Sequence, residues 1–329
     1  MFEEVGFADL PRFRAAHYTD EEGGTGCTVF IAPEGAVGGV DVRGGAPATR
    51  ETDLLRPENM VEQVHAVMLS GGSAFGLEAA CGAMEVLARH DHGFHLAGAC
   101  VPIVCGASLF DLPIGRPVWP EKTAGAKASE AALSADAHDL SQGCVGAGTG
   151  ATVGKMGLPT QIMKSGFGWV GLKQGDLVVI ANVAVNALGN VMTADGRWVA
   201  GTLGADGHVE DPFVAAERAL TLQASAQAQT PEGQPVSNTT LGCILTNARF
   251  TKAQATKVAQ IAQDAYARHI KPAHTLNDGD TIFTMASGEV QASVDQVGIL
   301  ATEAMGRAIL SAVRHATPVY GLRAACDVR

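Results

Sequence analysis

The chain has 329 residues, of which 47% are hydrophobic and 17% charged, and its formal net charge is −11. That apolar share excludes a disordered chain, and the acidic balance speaks against nucleic acid and anionic membrane as partners. No uncharged apolar run is long enough to span a bilayer. The Met1-Phe2-Glu3-Glu4 start lacks an apolar signal core, and the seven scattered cysteines make no CxxC spacing. These features point to a reducing cytoplasm.

In chain order, Cys27 to Ala32 is the first strand-like run, bounded by glycines before it and Pro33 after it. Val64 to Leu69 is another, and it leads into Ser70-Gly71-Gly72-Ser73-Ala74-Phe75-Gly76. Leu77, Ala80, Cys81, Met84, Leu87 and Ala88 then recur at helical spacing. The glycine loop joins a strand to a helix but lacks the Lys-Ser/Thr of a phosphate-binding loop; it is expected to be a tight turn near a cleft, with backbone N–H groups to offer at Gly72 and Ser73. His90, His92 and His95 crowd the helix exit without a carboxylate motif such as HExxH, so no metal is expected. A glycine-rich stretch from Gly143 to Gly157 follows. Leu177 to Val185 is the strongest buried-strand candidate, closed by the turn Asn186-Ala187-Leu188-Gly189. Pro212 to Ala224 reads as a helix.

Ser225 to Ser237 is a small, polar, Pro-containing linker that stops at Asn238. Thr240 to Leu245 is apolar and β-favouring. Thr251 is the expected N-cap of a helix running to about His269, a hairpin-like segment follows at Asn277-Asp278-Gly279-Asp280, and a last helix carries Val297, Leu300, Ala301, Ala304, Met305, Ala308, Ile309 and Ala312. The strand and two helices after the linker are too few to bury a core alone, so one domain over 1–329 is expected.

Thr239 stands where linker meets strand. A threonine hydroxyl is a poor nucleophile until a base takes its proton. If the chain is cut just before it, its own α-amine, with a reference pKa of about 7.7–8.0, becomes that base. In the intact chain the hydroxyl itself could attack the Asn238 carbonyl. Locally the alternative remains a polar turn leading into a strand.

The segment Asn238-Thr239-Thr240-Leu241-Gly242-Cys243-Ile244-Leu245-Thr246-Asn247-Ala248 resembles the processing site of the L-aminopeptidase/D-esterase family, which includes β-aminopeptidases and nylon-oligomer hydrolases. Further matches run along most of the chain: Ala16 to Asp20, Gly24 to Val29, Asp41 to Ala46, Ser70 to Leu77, Val185 to Gly189, Pro272 to Thr275 and Asp278 to Phe283. The NTT, HT and DGDT segments are most similar to those of the nylon-oligomer hydrolases. The resemblance implies an α+β fold, a four-layer αββα sandwich, and autocleavage into 1–238 and 239–329 with the pieces staying together. It also implies a homo-oligomer, with a tetramer favoured, and no cofactor.

It places Thr239, Lys155, Asn186, Asp278 and Asp280 in the catalytic centre. Each fits by chemistry as well. The Asn186 amide is suited to donate to a developing oxyanion. Two neighbouring carboxylates, Asp278 and Asp280, can orient the Thr239 amine and perturb each other's pKa. Lys155 can hold one of them by charge. Thr240 is expected to assist cleavage by hydrogen bonding, and His274-Thr275 to be structural. Asn182, on the same strand as Asn186, is a decoy. Phe110, with Gly72 and Ser73, is a candidate substrate contact; it stands where the nylon-oligomer hydrolases carry tyrosine, so substrate preference does not transfer. The expected activity is amide hydrolysis of small peptides, amino-acid amides or aminohexanoate-type oligomers through an acyl-Thr239 ester. Acyl transfer to an amine, as in ornithine acetyltransferases, and a non-catalytic binding protein on the same fold are the alternatives.

Overall fold

The computed structural model describes residues 2–134, 140–225 and 238–328. The linker read from the sequence lies, beyond Ser225, outside the described residues. Ten strands form the main sheet: β1 (Glu3–Val5), β2 (Arg14–Asp20), β3 (Thr25–Val42), β4 (Thr49–Arg50), β5 (Gln63–Ser70), β6 (Val104–Ser108), β7 (Phe167–Gln174), β8 (Leu177–Asn186), β9 (Thr239–Ala248) and β10 (Thr281–Val290). Five α-helices accompany them: α1 (Ala79–Arg89), α2 (Lys122–Ser134), α3 (Pro212–Ser225), α4 (Lys252–His269) and α5 (Val294–His315).

The strand order is β1-β7-β8-β9-β10-β3-β5-β6-β4, with β2 also on β3. The long β3 belongs to both halves. Its first part pairs with β2 over Thr25–Ile31 and with β5 from Cys27 to Ile31, and its last part pairs with β10 over Val37–Val42. Pro33 was expected to end this strand. Instead β3 continues past it, and the ladder to β5 shifts register between Ile31 and Ala36, with Gly35 at φ +81°. Pro lacks an amide donor and is tolerated at such an irregularity.

Side-chain alternation then builds the layers, because successive residues of a strand face opposite sides. From β8, Val179, Ala181, Val183 and Val185 join the core under α4 and α5, with Val258, Ala262, Tyr266, Leu300, Met305 and Ile309. The intervening Val178, Ile180 and Ala184 face a central core shared with Leu241, Cys243, Phe283, Phe30, Val67 and Leu69. On the far half, Cys27, Val29, Ile31, Ala66 and Met68 pack on α1 and α2 through Ala79, Ala83, Leu87, Ala124 and Ala128. The order helix, sheet, sheet, helix is the four-layer αββα sandwich that the family resemblance implies.

Each half holds one parallel pair joined by a helix: β5–α1–β6 and β9–α4–β10. Helix α1 buries Ala79, Ala80, Ala83, Val86 and Leu87. That stripe is rotated from the one read by spacing. Cys81 and Met84 sit at its edge, where Arg50 donates to both sulfurs. Helix α4 starts at Thr251, whose hydroxyl accepts from the Gln254 N–H, and α5 starts at Ser293 in the same way.

The expected hairpin at 277–280 is absent. That segment runs parallel to Asn238 through an isolated bridge at Asp278, because its backbone partner is the chain just before β9.

Candidate active site

Thr239 opens β9 and is 2% exposed. β9 lies between β8 and β10, so the start of β9, the end of β8 and the residue before β10 come together. Asn186, the last residue of β8, is the register partner of Thr239. Asp280, just before β10, accepts the Thr240 N–H at 2.8 Å through Oδ1. Thr240 was expected to assist cleavage by hydrogen bonding. The hydrogen bond it makes to Asp280 is through its backbone, and Thr240 Oγ1 has no hydrogen-bond partner among the described residues.

The Thr239 hydroxyl donates to the Asn238 carbonyl oxygen at 2.5 Å. A carbonyl bond is about 1.2 Å long, so the carbonyl carbon lies no further than about 3.7 Å from Oγ1. The same oxygen accepts the Gly279 N–H at 2.7 Å, and the Asn238 N–H donates to Asn277 O at 3.0 Å.

Asn186 is fully buried. Its Oδ1 accepts from Lys155 Nζ at 2.7 Å and from the Thr152 N–H at 3.1 Å, and its Nδ2 donates to the Phe110 carbonyl at 3.0 Å. Acceptance from a backbone N–H fixes which end of the amide is oxygen. The second Nδ2 hydrogen is therefore not used by the Phe110 contact. Asn182 does not belong to this cluster; its Nδ2 ties β8 to the Cys243 carbonyl.

The glycine-rich segment delivers Lys155. Gly154 and Lys155 N–H donate to Gly189 and Leu188 carbonyls, and Gly154 has φ +79°. Lys155 was expected to hold a carboxylate. Its hydrogen bonds go instead to Asn186 Oδ1 and O. Burial pushes its ammonium down to about 7, against the opposing charges of Asp278, Asp111 and Asp280. Asp278 and Asp280 remain its electrostatic neighbours rather than its direct partners.

Asp278 and Asp280 are both buried. Burial pushes the Asp278 carboxyl up, as does the Asp280 charge, while Thr275 and Lys155 pull it down. Thr275 donates to Asp278 Oδ2 from both N–H (2.7 Å) and hydroxyl (2.6 Å). His274 contacts Asp280 Oδ2 through N–H (3.0 Å) and Nδ1 (2.9 Å). The His274-Thr275 pair, read as structural, thus sets both carboxylates. Sequence reasoning also passed over Thr152 and Gly279, since a backbone N–H leaves no mark in a residue type.

Phe110 presents its carbonyl to Asn186, so the contact survives whichever ring stands there. The Gly72 N–H goes to Asp111 Oδ1 at 2.7 Å, the Ser73 N–H to Leu109 O, and the Gly71 N–H to Gly26 O. The loop therefore offers none of these donors to a ligand, contrary to expectation. What it does carry is Asp111, buried and pushed up by that burial to about 6, against the donors Gly72 and Thr25. Among the three clustered histidines, His90 pairs with Glu130 and its ring stacks on that of His92 at 6.4 Å between centroids, while His95 pairs with Asp91 near Cys100.

A family model described as peptidase family S58 matches residues 7–326. An uncharacterized aminopeptidase of Mycobacterium leprae is 38% identical over 326 residues, covering 92% of this chain and 86% of the relative. A 6-aminohexanoate-oligomer endohydrolase of Paenarthrobacter ureafaciens is 31% identical over 316 residues, covering 91% and 82%. Among solved structures, a Burkholderia β-aminopeptidase has a TM-score of 0.63 at 18% identity, covering 95% of this chain and 88% of its own. An L-aminopeptidase D-Ala-esterase/amidase from Ochrobactrum anthropi, described as a variant of the Ntn-hydrolase fold, has a TM-score of 0.63 at 14% identity, covering 97% and 90%.

Proposed function

The chain belongs to peptidase family S58, enzymes that hydrolyse amide bonds, and from that premise we propose that it activates itself by breaking the Asn238–Thr239 bond and then works through an acyl-Thr239 ester. The observation that carries this reading is the position of the Thr239 hydroxyl, 2.5 Å from the carbonyl oxygen of the residue before it, at the start of a buried strand. After the cut, the new α-amine serves as base for the hydroxyl beside it. Asn186 turns its remaining amide hydrogen to the substrate oxyanion. Asp278 and Asp280 orient and charge-balance the amine, and Lys155 keeps the Asn186 amide aligned. Substrate is a small peptide, an amino-acid amide or an aminohexanoate-type oligomer, as the names of the relatives suggest. Substrate contacts near Phe110 and Ser73 belong to the same reading.

The cleaved units, 1–238 and 239–329, are expected to assemble into a homo-oligomer, a tetramer by resemblance, in the cytoplasm. Among the described residues no helix is long and apolar enough to cross a membrane. The test is a mass spectrum of the purified protein together with a screen of amino-acid amides and linear amide oligomers. Two fragments split after Asn238, with hydrolysis lost in Thr239→Ala, are expected. An uncut chain that still hydrolyses amides sinks the mechanism. Amide product formed from added amines in excess over free acid would turn the assignment to acyl transfer.

A further inference from the structure

We propose that the backbone N–H of Gly279 is the oxyanion donor for breaking the Asn238–Thr239 bond, and that residue 279 must be glycine because a side chain there would stand on the nucleophile. This deepens the self-cleavage reading above and rests on it.

Two independent observations carry it. The first is that the Gly279 N–H already donates to the Asn238 carbonyl oxygen at 2.7 Å, the atom that gains charge when Thr239 Oγ1 attacks. The Asn186 amide donates elsewhere, to Phe110 O. The second is steric. A Cβ built on Gly279 would lie 2.6 Å from Thr239 Oγ1, 3.2 Å from Thr239 Cγ2 and 3.0 Å from the Ala46 carbonyl.

The donor is also held in place, which is what makes such a group effective at the moment of reaction. On one side, Asn238 N–H bonds Asn277 O. On the other, the 43–46 segment bonds the loop repeatedly: Ala46 N–H to Asp278 O (2.8 Å), Arg43 N–H to Asp280 O (2.9 Å) and Gly45 N–H to Thr275 O (3.1 Å). The flanking carboxylates are engaged away from the carbonyl oxygen, Asp278 on Thr275 and Asp280 on Thr240 and His274.

In the step itself, a bond forms from Thr239 Oγ1 to the Asn238 carbonyl carbon, and the C=O π pair moves to the oxygen facing Gly279. The C–N bond then breaks. The hydroxyl proton ends on the departing nitrogen, which becomes the Thr239 α-amine. Water hydrolyses the resulting ester to the Asn238 carboxylate and a free Thr239 hydroxyl, so one water is consumed overall.

The test follows conversion of full-length chain to 1–238 and 239–329 by mass spectrometry. Two variants probe the two halves of the proposal. Gly279→Ala keeps the N–H and adds the Cβ; replacing Gly279 by glycolic acid removes the N–H and adds no side chain. The glycolate variant is expected to slow splitting by about 10²-fold or more, the usual effect of losing one oxyanion donor, and Gly279→Ala to slow it by crowding Thr239 Oγ1, with thermal melts reading whether each is folded. A third measurement needs neither variant: in the uncut Thr239→Ala chain, the Gly279 amide is expected to exchange slowly with solvent deuterium. Wild-type chain that splits while the folded glycolate or alanine variant splits equally fast overturns the proposal and leaves self-cleavage standing. Fast exchange at Gly279 overturns it too. A wild-type chain that never splits overturns both.

Discussion

In the proposed self-cleavage, the uncut chain faces a chemical problem at Thr239 that the cut chain does not. Before cleavage there is no free α-amine, so the hydroxyl needs another proton acceptor. Lys155 sits on Asn186, the residue paired with Thr239, and is held near 7 by burial. Self-cleavage is therefore expected to accelerate as pH rises through about 7 and then level off, a profile read by gel densitometry over time. Lys155→Arg, charged at every pH used, should flatten it. The same displacement has a sign in stability. With a folded value below the unfolded 10.5, the lysine's contribution is full above about 10.5 and is lost as pH falls through 7. Thr275 supplies a second handle. Thr275→Val deletes the hydroxyl 2.6 Å from Asp278 Oδ2, a donor that lowers that carboxyl. The Asp278 value then moves further up, and any limb of the pH–rate profile that it governs shifts to higher pH. An unmoved profile would remove Asp278 from the titrating set.

Among the elements, close packing of helices on the sheet depends on glycines that the sequence displays only as composition. A Cβ on Gly39 of β3 would lie 2.3 Å from the Thr256 N of α4, and one on Gly168 of β7 would lie 2.3 Å from the Ala308 carbonyl of α5. These are backbone atoms and cannot swing aside. Gly39→Ala and Gly168→Ala are each expected to destabilise the protein by about 1–3 kcal/mol, the usual range for overpacking, measured by denaturant melts. The elements easiest to read were those buried on one periodic face. Every residue singled out on α5 from Val297 to Ala312 is buried, and β8 and β9 are buried throughout. The errors came where an element's limits depend on its neighbours. β3 passes Pro33 because β10 and β5 take up successive parts of it.

For the molecule as a whole, the C-terminal piece is interleaved with the rest. β9 is hydrogen-bonded to β8, β10 is hydrogen-bonded to β3, and α5 joins the core formed with β8. Without β9 and β10 the ten-stranded sheet separates into β1-β7-β8 and the group around β3, and β9-β10 alone is a two-stranded pair. After cleavage the two fragments are expected to co-elute on size exclusion under native conditions and to separate only in denaturant. Free fragments in native buffer would contradict this. Interleaving also explains the location of the candidate site, since it draws strand ends from both sides of the proposed cut to one place.

The sequence by itself determined most of the elements, and its family resemblance implied the layers and the chemistry. Apolar periodicity marked the strands and helices, because burial on one face repeats at the period of the element. The family resemblance marked Thr239, Asn186, Lys155, Asp278 and Asp280 as candidates, and residue chemistry agreed, because nucleophiles, amides and charges are visible as letters. Tertiary structure alone decided how these groups are used. It turned Lys155 onto Asn186 instead of a carboxylate, gave His274 and Thr275 the task of fixing Asp280 and Asp278, and set the Gly279 N–H on the Asn238 carbonyl. Those partners are backbone groups or residues distant in sequence, and their directions exist only once β8, β9 and the 274–280 loop have packed together.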